Sequence, residues 1–422
     1  MKLADLPLNR HALVKRDEQV FSRRETDNKL FLLRPVYGKP PVVQLLDEPA
    51  LSVWTRIGNA GATIEELFSF IHEHPCLAAL SYLLRNQFIA CEPEIIMPPI
   101  PRESDIRIHR NPWDYQFDTM TLESPWFALW ELTEYCPLKE KCSFCYRPKE
   151  EVPEPNLLRR NRVIDQLIQA KIPWITLLGG EPLAFEPIYD VVRKLRSHKM
   201  FVKMITNGVL VNGKNARLLG EAGLNQIALS LDGLDRELHE RSRGKNSFDK
   251  TIRAMKLLKE TVPLVSISLT VSNKVFEQLD RLADFCEEHE IPEVYISPLR
   301  ATMNTQFPEG ISTMTPEQQA GLTDKVAACN RDWLDVILIR ECSCGRSSCV
   351  IHCDGTFSPC PFAQGHYGNI YEEDLLEMWG RATGVASRIG RLIPGKFCFR
   401  RHELEAVESL EKIAWRGPAS DQ

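Results

Sequence analysis

From Trp126 onward, short apolar runs alternate with amphipathic stretches along the chain. The apolar runs have strand length and are nearly continuous, whereas the stretches between them carry apolar residues at helical spacing. Such alternation is typical of a parallel sheet that is buried on both faces. Six repeats predict an α/β fold with a partial (β/α)6 TIM-type barrel, in which functional residues lie at the carboxyl ends of the strands. The predicted strands are 126–133, 174–180, 201–208, 226–233, 264–272 and 293–299, and the predicted helices are Asn161–Ala170, Ile188–His198, Asn215–Ala222, Ser247–Glu260 and Val275–Glu288.

Before Trp126 the chain does not show this regular alternation of strands and helices. Residues 18–36 predict two strands around a polar turn at Glu25–Lys29, followed by three helical stretches and a short returning strand. Thr63 and Glu66 have the spacing of a helix capping box. This order predicts a small winged-helix-like domain. The predicted helices are Glu48–Ile57, Thr63–Ile71 and His74–Asn86, and the returning strand is 88–90.

The chain length favours several domains, because 422 residues greatly exceed the roughly 100–150 residues of one typical domain. Residues 97–114 contain four prolines and many charges, which predicts an exposed linker. We therefore expect a winged-helix-like domain at 1–95, a linker at 96–125, the barrel at 126–310 and a C-terminal domain at 311–422.

Charge and hydropathy argue against a nucleic-acid-binding, secreted or membrane-spanning protein. Lys and Arg number 52 against 57 Asp and Glu, which gives a net charge of −5 and a pI near 6.1. This balance lacks the basic surface of a nucleic-acid-binding protein. The first residues are charged and lack the apolar segment of a secretory signal, and no apolar run reaches about 18 residues. The sequence predicts a cytoplasmic protein with no nucleic-acid partner and no membrane span.

The 13 cysteines are the unusual part of the composition, and nine of them fall in two groups. In a reducing cytoplasm, grouped cysteines more often bind metal or act in catalysis than form disulfides. Cys136, Cys142 and Cys145 follow the first barrel strand with the spacing C-x5-C-x2-C, and the nearest histidines, His109 and His198, are far away in sequence. A structural zinc site normally has four ligands. Three thiolates favour an iron–sulfur cluster with one iron open to an external ligand, with zinc as the alternative.

This loop resembles the cluster-binding loop of radical S-adenosylmethionine (SAM) enzymes. In that family three cysteines hold a 4Fe–4S cluster, and the open iron binds the amino and carboxylate groups of SAM. The family spacing is C-x3-C-x2-C, so the first gap here is two residues longer. Closing two extra residues costs only about a few tenths of a kcal/mol. Phe144, directly before the last cysteine, resembles the aromatic residue that the family places against the adenine of SAM.

Further motifs follow in the family order, each at or just after a predicted strand end. The GGEP sequence after the second strand resembles the motif that meets the SAM ammonium through its backbone and its glutamate. The third strand ends in TNG, and the fourth ends in SLDG at the ribose-contacting position. Arg243 resembles the arginine that contacts the SAM carboxylate. The predicted cofactor-binding residues are Phe144, Gly179, Gly180, Glu181, Pro182, Thr206, Asn207, Ser230, Asp232, Arg243 and Thr270.

The resemblance also implies the chemistry. One electron delivered to the cluster, from a donor of flavodoxin or ferredoxin type, cleaves SAM reductively to methionine and a 5′-deoxyadenosyl radical. That radical takes a hydrogen atom from the substrate, while the protein positions it and excludes water.

The second cysteine group lies near the C-terminus. From Cys342 to Cys360 the spacing fits C-x12-G-x4-C, and with the following GNIYEEDLLEMW it resembles the SPASM or twitch extension of radical SAM enzymes that modify peptides and proteins. The full SPASM pattern continues with further paired cysteines, whereas here only Cys398 follows. We therefore expect one auxiliary 4Fe–4S cluster, with a structural zinc site as the alternative, and we expect His352 on a strand surface rather than as a ligand. The preferred ligands are Cys342, Cys349, Cys360 and Cys398, with Cys344 and Cys353 as competitors.

The N-terminal pattern at 45–71, with LRNQFIACEPEI after it, resembles the PqqD-like winged-helix domain of enzymes that mature ribosomal peptides. Such a domain binds a leader peptide as an added strand. A generic winged-helix spacer is the alternative. A DNA-binding role is disfavoured, because Arg85 is the only firmly basic residue of the predicted recognition helix at 74–86.

Together these resemblances predict a radical SAM enzyme that modifies a precursor peptide or protein by hydrogen abstraction. The alternatives are a radical SAM enzyme that acts on a small metabolite and a non-catalytic iron–sulfur protein that transfers electrons or serves as a scaffold.

Overall fold

The computed structural model describes residues 13–17, 19–24, 30–36, 39–46, 50–70, 79–80, 82–84, 87–92, 122–145, 155–301, 305–339, 344–362 and 367–392. Its contacts divide the chain into two compact units. The first comprises Met1–Val36 and Pro40–Met120, and the second comprises Tyr37–Lys39 and Thr121–Gln422. The predicted linker stretch at 97–114 lies outside the described residues.

The described part of the first unit contains two small sheets, the helices α1 and α2, and further helical residues at 79–80 and 82–84. One sheet has the strand order β5-β1-β6 and the other has the order β2-β3-β4. The predicted hairpin corresponds to the antiparallel pair β2 and β3, although its turn lies outside the described residues. The elements are β1 (Leu13–Arg16), β2 (Phe21–Arg24), β3 (Leu30–Val36), β4 (Lys39–Leu46), α1 (Ala50–Ile57), β5 (Ala62–Thr63), α2 (Ile64–Phe70) and β6 (Ile89–Glu92).

One apolar core holds the first unit together. Trp54 and Ile57 of α1 pack with Leu67 of α2 and with apolar residues of the strands. The capping box forms as its spacing indicates, since the Thr63 N–H donates to Glu66 Oε2 over 2.7 Å and the Glu66 N–H donates to Thr63 Oγ1 over 3.2 Å. Of the predicted third helix, residues 79–80 and 82–84 are described, and they are helical.

The second unit is built on one nine-stranded sheet, which confirms the predicted α/β class and its parallel strands. Six strands follow one another in chain order, each parallel to the next. Their near-continuous apolar character arises because both faces are covered, and most of their residues are buried. These strands are β7 (Phe127–Glu131), β8 (Trp174–Leu178), β9 (Phe201–Thr206), β10 (Gln226–Leu231), β11 (Leu264–Val271) and β12 (Glu293–Pro298).

Amphipathic helices connect these strands and cover the sheet. In α4, for example, Ile188, Val191, Val192 and Leu195 are buried at helical spacing. The predicted helix Val275–Glu288 is two short helices, joined by a 3-10 turn at Leu279–Arg281. The helices are α3 (Leu157–Gln169), α4 (Ile188–Ser197), α5 (Gly213–Glu221), α6 (Arg236–Arg243), α7 (Ser247–Lys259), α8 (Asn273–Gln278), α9 (Leu282–Glu288), α10 (Pro316–Cys329) and α11 (Leu375–Leu392).

Residues beyond 310 continue the same sheet. β13 (Asp335–Leu338) pairs with β12 in parallel, and β14 (Ser348–Ile351) pairs in parallel with β7 at the other side. β15 (Phe357–Ser358) then pairs antiparallel with β14. The domain boundary expected at 310 therefore falls within one continuous sheet. Among the described helices, none combines the length and apolar character that crossing a membrane requires.

Candidate functional site

The loop that follows β7 carries the first cysteine group. Its first part is folded into tight turns, with the Cys142 N–H donating to the Leu138 carbonyl over 2.8 Å. Two other segments hold its far end. The Ser143 N–H donates to the Ser242 carbonyl in α6 over 2.8 Å, and the Gln306 N–H donates to the Ser143 carbonyl over 2.9 Å. Backbone hydrogen bonds from two directions therefore fix the position of this loop.

Cys136, Cys142 and Cys145 line one cavity of about 450 Å³ at the carboxyl ends of the barrel strands. Burial raises the pKa of the Cys136 thiol to about 11, and burial also raises the pKa of Cys142 although the nearby Arg243 opposes this. Such thiols lose their protons when they bind a metal, because the metal charge stabilises the thiolate. Three soft sulfur donors that face one cavity fit the requirements of an iron–sulfur cluster.

Two glycines after β8 allow the backbone to approach the start of this loop. The Gly180 N–H donates to the Thr133 carbonyl over 2.5 Å, and the Glu181 N–H donates to the Tyr135 carbonyl over 2.8 Å. A Cβ atom on Gly180 would lie only 2.2 Å from the Tyr135 oxygen. A Cβ on Gly179, whose φ is +149°, would lie 2.7 Å from the Thr133 oxygen. Side chains at these two positions would therefore displace the segment that leads into the cysteine loop.

Glu181 is completely buried and joins the ends of β8 and β9. Its Oε1 accepts hydrogen bonds from the Thr206 hydroxyl (2.6 Å) and the Leu183 N–H (3.1 Å), and its Oε2 accepts one from the Asn207 N–H (2.9 Å). Burial raises its pKa, and these hydrogen bonds act in the opposite direction. Thr206 and Asn207 line the cavity, whereas Glu181 does not. In this structure the carboxylate orients the two residues of the cavity wall.

Asp232 and Arg243 form a bidentate ion pair beside the cavity. Arg243 Nε lies 2.7 Å from Asp232 Oδ2, and Nη2 lies 3.3 Å from Oδ1. Burial alone would lower the pKa of Arg243, but Asp232 and Cys142 outweigh burial and raise it. Arg243 lines the cavity, and the buried Asp232 fixes the plane of its guanidinium.

The structure brings most of the predicted cofactor-binding residues to the same cavity. Phe144 is among them, and its ring centroid lies 6.3 Å from that of Phe307. Pro182, Glu181 and Asp232 do not line the cavity. The individual roles assigned to these residues stay predictions. The predicted residues that line the cavity are Phe144, Gly179, Gly180, Thr206, Asn207, Ser230, Arg243 and Thr270.

The sequence reasoning missed several polar residues of the same cavity. Ser268 precedes Thr270 by two residues on β11, so strand periodicity places both side chains on one face. Ser297 and Arg300 lie at the carboxyl end of β12, where functional residues of a barrel are expected. These two signals were present in the sequence. The unpredicted polar residues are Glu134, Lys139, Ser268, Ser297 and Arg300.

The second cysteine group is described in part. Cys342 and Cys398, two of the preferred auxiliary-cluster ligands, lie outside the described residues. Cys349, Cys353 and Cys360 are buried, and burial raises the pKa of Cys349. Across the described part of the chain, no three His, Cys, Asp or Glu side chains surround a point that would hold a single metal ion. The assignment of auxiliary ligands stays a prediction.

Two cysteines of the second group, Cys353 and Cys344, lie near the carboxyl end of the barrel strands. The Cys353 thiol lies 3.7 Å from the Leu132 carbonyl at the end of β7. Cys344 lines the cavity together with the first cysteine group. The fold therefore brings Cys344 to the same end of the barrel as Cys145, although about two hundred residues separate them in the sequence.

His352 connects the first barrel strand to the C-terminal segment. Its Nδ1 lies 2.7 Å from Glu131 Oε2, and its Nε2 lies 2.7 Å from Ser358 Oγ. The Ser358 hydroxyl also donates to the Cys360 carbonyl over 3.0 Å. Both ring nitrogens therefore have partners, and the expectation that His352 is not a metal ligand stays a prediction.

Family models match two parts of this chain. Residues 130–286 match the radical SAM superfamily, and residues 342–401 match SPASM, an iron–sulfur cluster-binding domain. The first match covers the barrel from β7 into α9, including the cysteine loop. The second match covers the second cysteine group.

Curated relatives match part of the chain. Mycofactocin maturase MftC of Mycolicibacterium smegmatis is 28% identical over 265 residues, which are 57% of this chain and 66% of that protein. Fe-coproporphyrin III synthase of Methanosarcina barkeri is 29% identical over 171 residues, which are 40% of this chain and 42% of that protein. The chain thus spans just under two thirds of the first relative and less than half of the second.

Solved structures share the fold over most of the chain. SuiB of Streptococcus suis bound to S-adenosylmethionine superposes with a TM-score of 0.62 at 18% identity, covering 89% of this chain and 90% of that chain. SuiB bound to its precursor peptide SuiA gives a TM-score of 0.61 at 19% identity, covering 88% and 90%. The chain therefore contains a radical SAM domain at residues 130–286 and, after it, a SPASM iron–sulfur cluster-binding domain at residues 342–401.

Proposed function

We propose that this chain is a radical SAM enzyme that modifies a peptide or protein substrate by hydrogen abstraction. The observation that carries the proposal is the shared cavity, in which three thiols face Thr206 and Ser230 at the carboxyl ends of consecutive strands and Arg243 at the end of α6. Thiols, hydroxyls and a fixed guanidinium are the groups that a cluster and an amino-acid cofactor require.

The cavity residues have distinct tasks in this proposal. Cys136, Cys142 and Cys145 would hold the cluster, and the bound cluster and SAM together supply a carbon radical that takes hydrogen from the substrate. Arg243, held by Asp232, presents a fixed positive charge to a carboxylate. Apolar side chains, including Leu178, Ile205 and Leu299, line the remaining wall and limit the entry of water.

A peptide is the substrate class that the comparisons favour. SuiB, whose fold this chain shares along most of its length, binds a precursor peptide, and MftC is named a maturase. The N-terminal unit has a three-stranded sheet in the order β2-β3-β4, whose outer strands are β2 and β4. In the PqqD-like interpretation, a leader peptide would add as a strand to such an edge.

The reaction also needs an electron donor and a reducing environment. We infer a small redox protein of flavodoxin or ferredoxin type as the donor, because the proposed cleavage of SAM consumes one electron. We place the reaction in the cytoplasm, where reducing conditions keep cysteines free to bind clusters.

Anaerobic reconstitution with iron and sulfide tests the proposal. The loaded protein should convert SAM to 5′-deoxyadenosine when dithionite is added, and the Cys142→Ala variant should not. Cys286→Ala is the matched control, because Cys286 is a buried residue of α9 and does not line the cavity. A fully loaded wild-type sample that forms no 5′-deoxyadenosine, in an assay where a known family member does, would show the proposal to be wrong.

A small-molecule substrate is the second candidate, since Fe-coproporphyrin III synthase and AdoMet-dependent heme synthase are among the relatives that this chain matches. Removing residues 1–95 separates the two candidates. The truncated protein should lose turnover of a leader-bearing peptide if the first candidate is correct, but it should keep turnover of a small metabolite if the second is correct.

A further inference from the structure

One basic side chain of the cavity has no partner among the residues that the structure describes. Arg300 follows β12 and lines the cavity, and its side chain is exposed. Its backbone is held in place, because the neighbouring Leu299 N–H donates to the Val271 carbonyl over 2.9 Å and extends the pairing of β12 with β11. Among the described residues, none accepts a hydrogen bond or forms an ion pair with the Arg300 guanidinium. The fixed backbone therefore places the Arg300 guanidinium at the cavity, where no described residue pairs with it.

Arg243 is the natural comparison within the same cavity. Its guanidinium donates two hydrogen bonds to Asp232, so much of its charge is balanced by a buried carboxylate. The resemblance to radical SAM enzymes gives Arg243 the task of contacting SAM. Arg300 comes from another strand and has no such carboxylate, so it is available to a different ligand.

Hydroxyl groups line the wall below Arg300. Ser297 lies three residues before it on β12, and its register partner on β11 is Thr270. Ser268 lies two residues before Thr270 and pairs with Ser230 of β10. These four hydroxyls line the cavity, and within the described part of the chain none of them has a hydrogen-bond partner. Ser268 and Ser297 are not among the residues assigned to SAM, so they remain available for the substrate.

We propose that Arg300, together with the Ser297 hydroxyl, binds a carboxylate of the substrate peptide. The proposal rests on the proposed function, and it names the feature of the peptide that this site selects. A guanidinium donates two parallel hydrogen bonds to a carboxylate, and a hydroxyl can donate a third. The carboxylate is either an acidic side chain or the C-terminus of the peptide, which have the same chemistry.

The other charges of the cavity also bear on this choice. Glu134 and Lys139 come from the segment around the cysteines and carry opposite charges, and Arg243 is paired with Asp232. Arg300, which comes from β12, supplies a cation that no described side chain balances, so it attracts a substrate carboxylate. It would thereby orient the peptide relative to the cofactor, which makes Arg300 a specificity-determining residue.

Footprinting of arginine residues with phenylglyoxal tests this proposal on the reconstituted full-length protein with SAM bound. The probes are three short N-acetylated peptides: one with an internal Asp and an amidated end, one with Asn in that position, and one with Asn and a free C-terminal carboxylate. We expect near-saturating concentrations of a carboxylate probe to slow labelling of Arg300 at least about fivefold, with little effect of the neutral probe. The two acidic probes distinguish a side-chain from a C-terminal carboxylate.

Internal controls make the result specific. Arg281 is exposed outside the cavity, and its labelling rate should be the same with all three probes. Ser297→Ala should raise the concentration of the protecting probe needed for half-protection by about fivefold, since one hydrogen bond to a charged group is lost.

Three results would overturn the proposal: equal protection by acidic and neutral probes, no protection by any probe, and full protection of Arg300 by SAM alone. The last result would assign Arg300 to the cofactor. Formation of 5′-deoxyadenosine is measured on the same sample. A sample that cleaves SAM but gives no carboxylate-dependent protection refutes the role of Arg300 and leaves the proposed function intact. A sample that shows protection but cannot cleave SAM refutes the proposed function instead.

Discussion

Glu181 illustrates how one buried side chain organises the candidate site. Its two oxygens accept hydrogen bonds from Thr206, Leu183 and Asn207, so the carboxylate links the ends of two neighbouring strands. The cost of burying such a group is offset only while its hydrogen-bond donors remain in place.

Glu181→Gln is expected to destabilise the second unit by about 1–3 kcal/mol, because the amide nitrogen must face a donor in place of an acceptor. Thermal unfolding of the anaerobic protein measures this as a lower midpoint. Glu186→Gln is the matched control, since Glu186 is exposed in the same loop. Equal midpoints for both variants would contradict the structural role of Glu181.

His239 predicts a pH dependence in α6. Its Nδ1 accepts a hydrogen bond from the Asp232 N–H. Burial lowers the pKa of His239 from 6.5 to about 4, and the nearby Arg243 contributes to this decrease. At a pH between these two pKa values, His239 binds a proton in the unfolded chain but not in the folded chain. Lowering the pH through this window therefore favours unfolding, with a difference of about 1.4 kcal/mol at about pH 5.5.

Hydrogen exchange of the α6 amides at about pH 7.5 and about pH 5.5 measures this effect. We expect wild-type protein to lose more protection at the lower pH than His239→Gln, in which the proton-binding group is gone. His198→Gln, at an exposed position, should behave as wild type. If His239→Gln loses as much protection as wild type, His239 does not carry the dependence.

The residue types of the site could be predicted from the sequence, but their partners could not. The first cysteine group and GGEP follow strand ends, where barrel chemistry is expected, and Arg243 follows the end of β10 by a short distance. The pairing of Arg243 with Asp232 depends on how α6 returns over the sheet, and its mostly charged sequence gives little signal of that path. Arg300 directly follows the last predicted strand, where barrel chemistry is expected, but no motif marks it.

At the scale of elements, the loops after β7 and β8 form one unit. The glycines after β8 let its backbone pack directly against residues 133–135, which lead into the cysteine loop. The position of the thiols therefore depends on the second strand as well as the first.

Gly180→Ala should prevent normal loading of the cluster, because its Cβ would lie 2.2 Å from the Tyr135 oxygen and the loop would have to move. Iron and sulfide per chain after reconstitution should fall, and 5′-deoxyadenosine formation should fall by at least about tenfold. Gly213→Ala is the control, since nothing lies within 4 Å of a Cβ at that position. Normal activity of Gly180→Ala would contradict the importance of this close approach.

The strands of the barrel were the most predictable elements, since strands buried on both faces must be nearly continuous in apolar residues. Each of the six predicted strands matches an observed one to within two residues at either end. β13, β14 and β15 were not predicted, because they are short and lie between cysteines and polar residues. What fixes them is pairing with β12 and β7, a long-range interaction that local pattern does not reveal.

At the scale of the whole molecule, the C-terminal part of the second unit packs against the first barrel strand and the residues before it. β14 pairs with β7, and the buried Trp379 of α11 donates from its indole Nε1 to the Leu122 carbonyl over 2.9 Å. The described residues 344–362 and 367–392 therefore pack onto the first strand of the barrel and the segment that precedes it.

Trp379→Ala should destabilise the second unit by about 3–5 kcal/mol, the usual cost of removing a large buried aromatic side chain. Trp333→Ala is the matched control, because Trp333 is 45% exposed and Trp379 is 1% exposed. Limited proteolysis compares the two variants with wild type. Equal resistance of Trp379→Ala and Trp333→Ala would contradict the integration of the C-terminal segment into the core.

The central claim is that Cys136, Cys142 and Cys145 hold the cluster that binds SAM. Electron paramagnetic resonance of the dithionite-reduced protein, with and without SAM, tests it most directly. We predict that SAM changes the wild-type spectrum, whereas a variant with all three cysteines replaced by alanine keeps only a signal from the second cysteine group and does not respond to SAM. A triple variant whose cluster signal still shifts on addition of SAM would contradict the account.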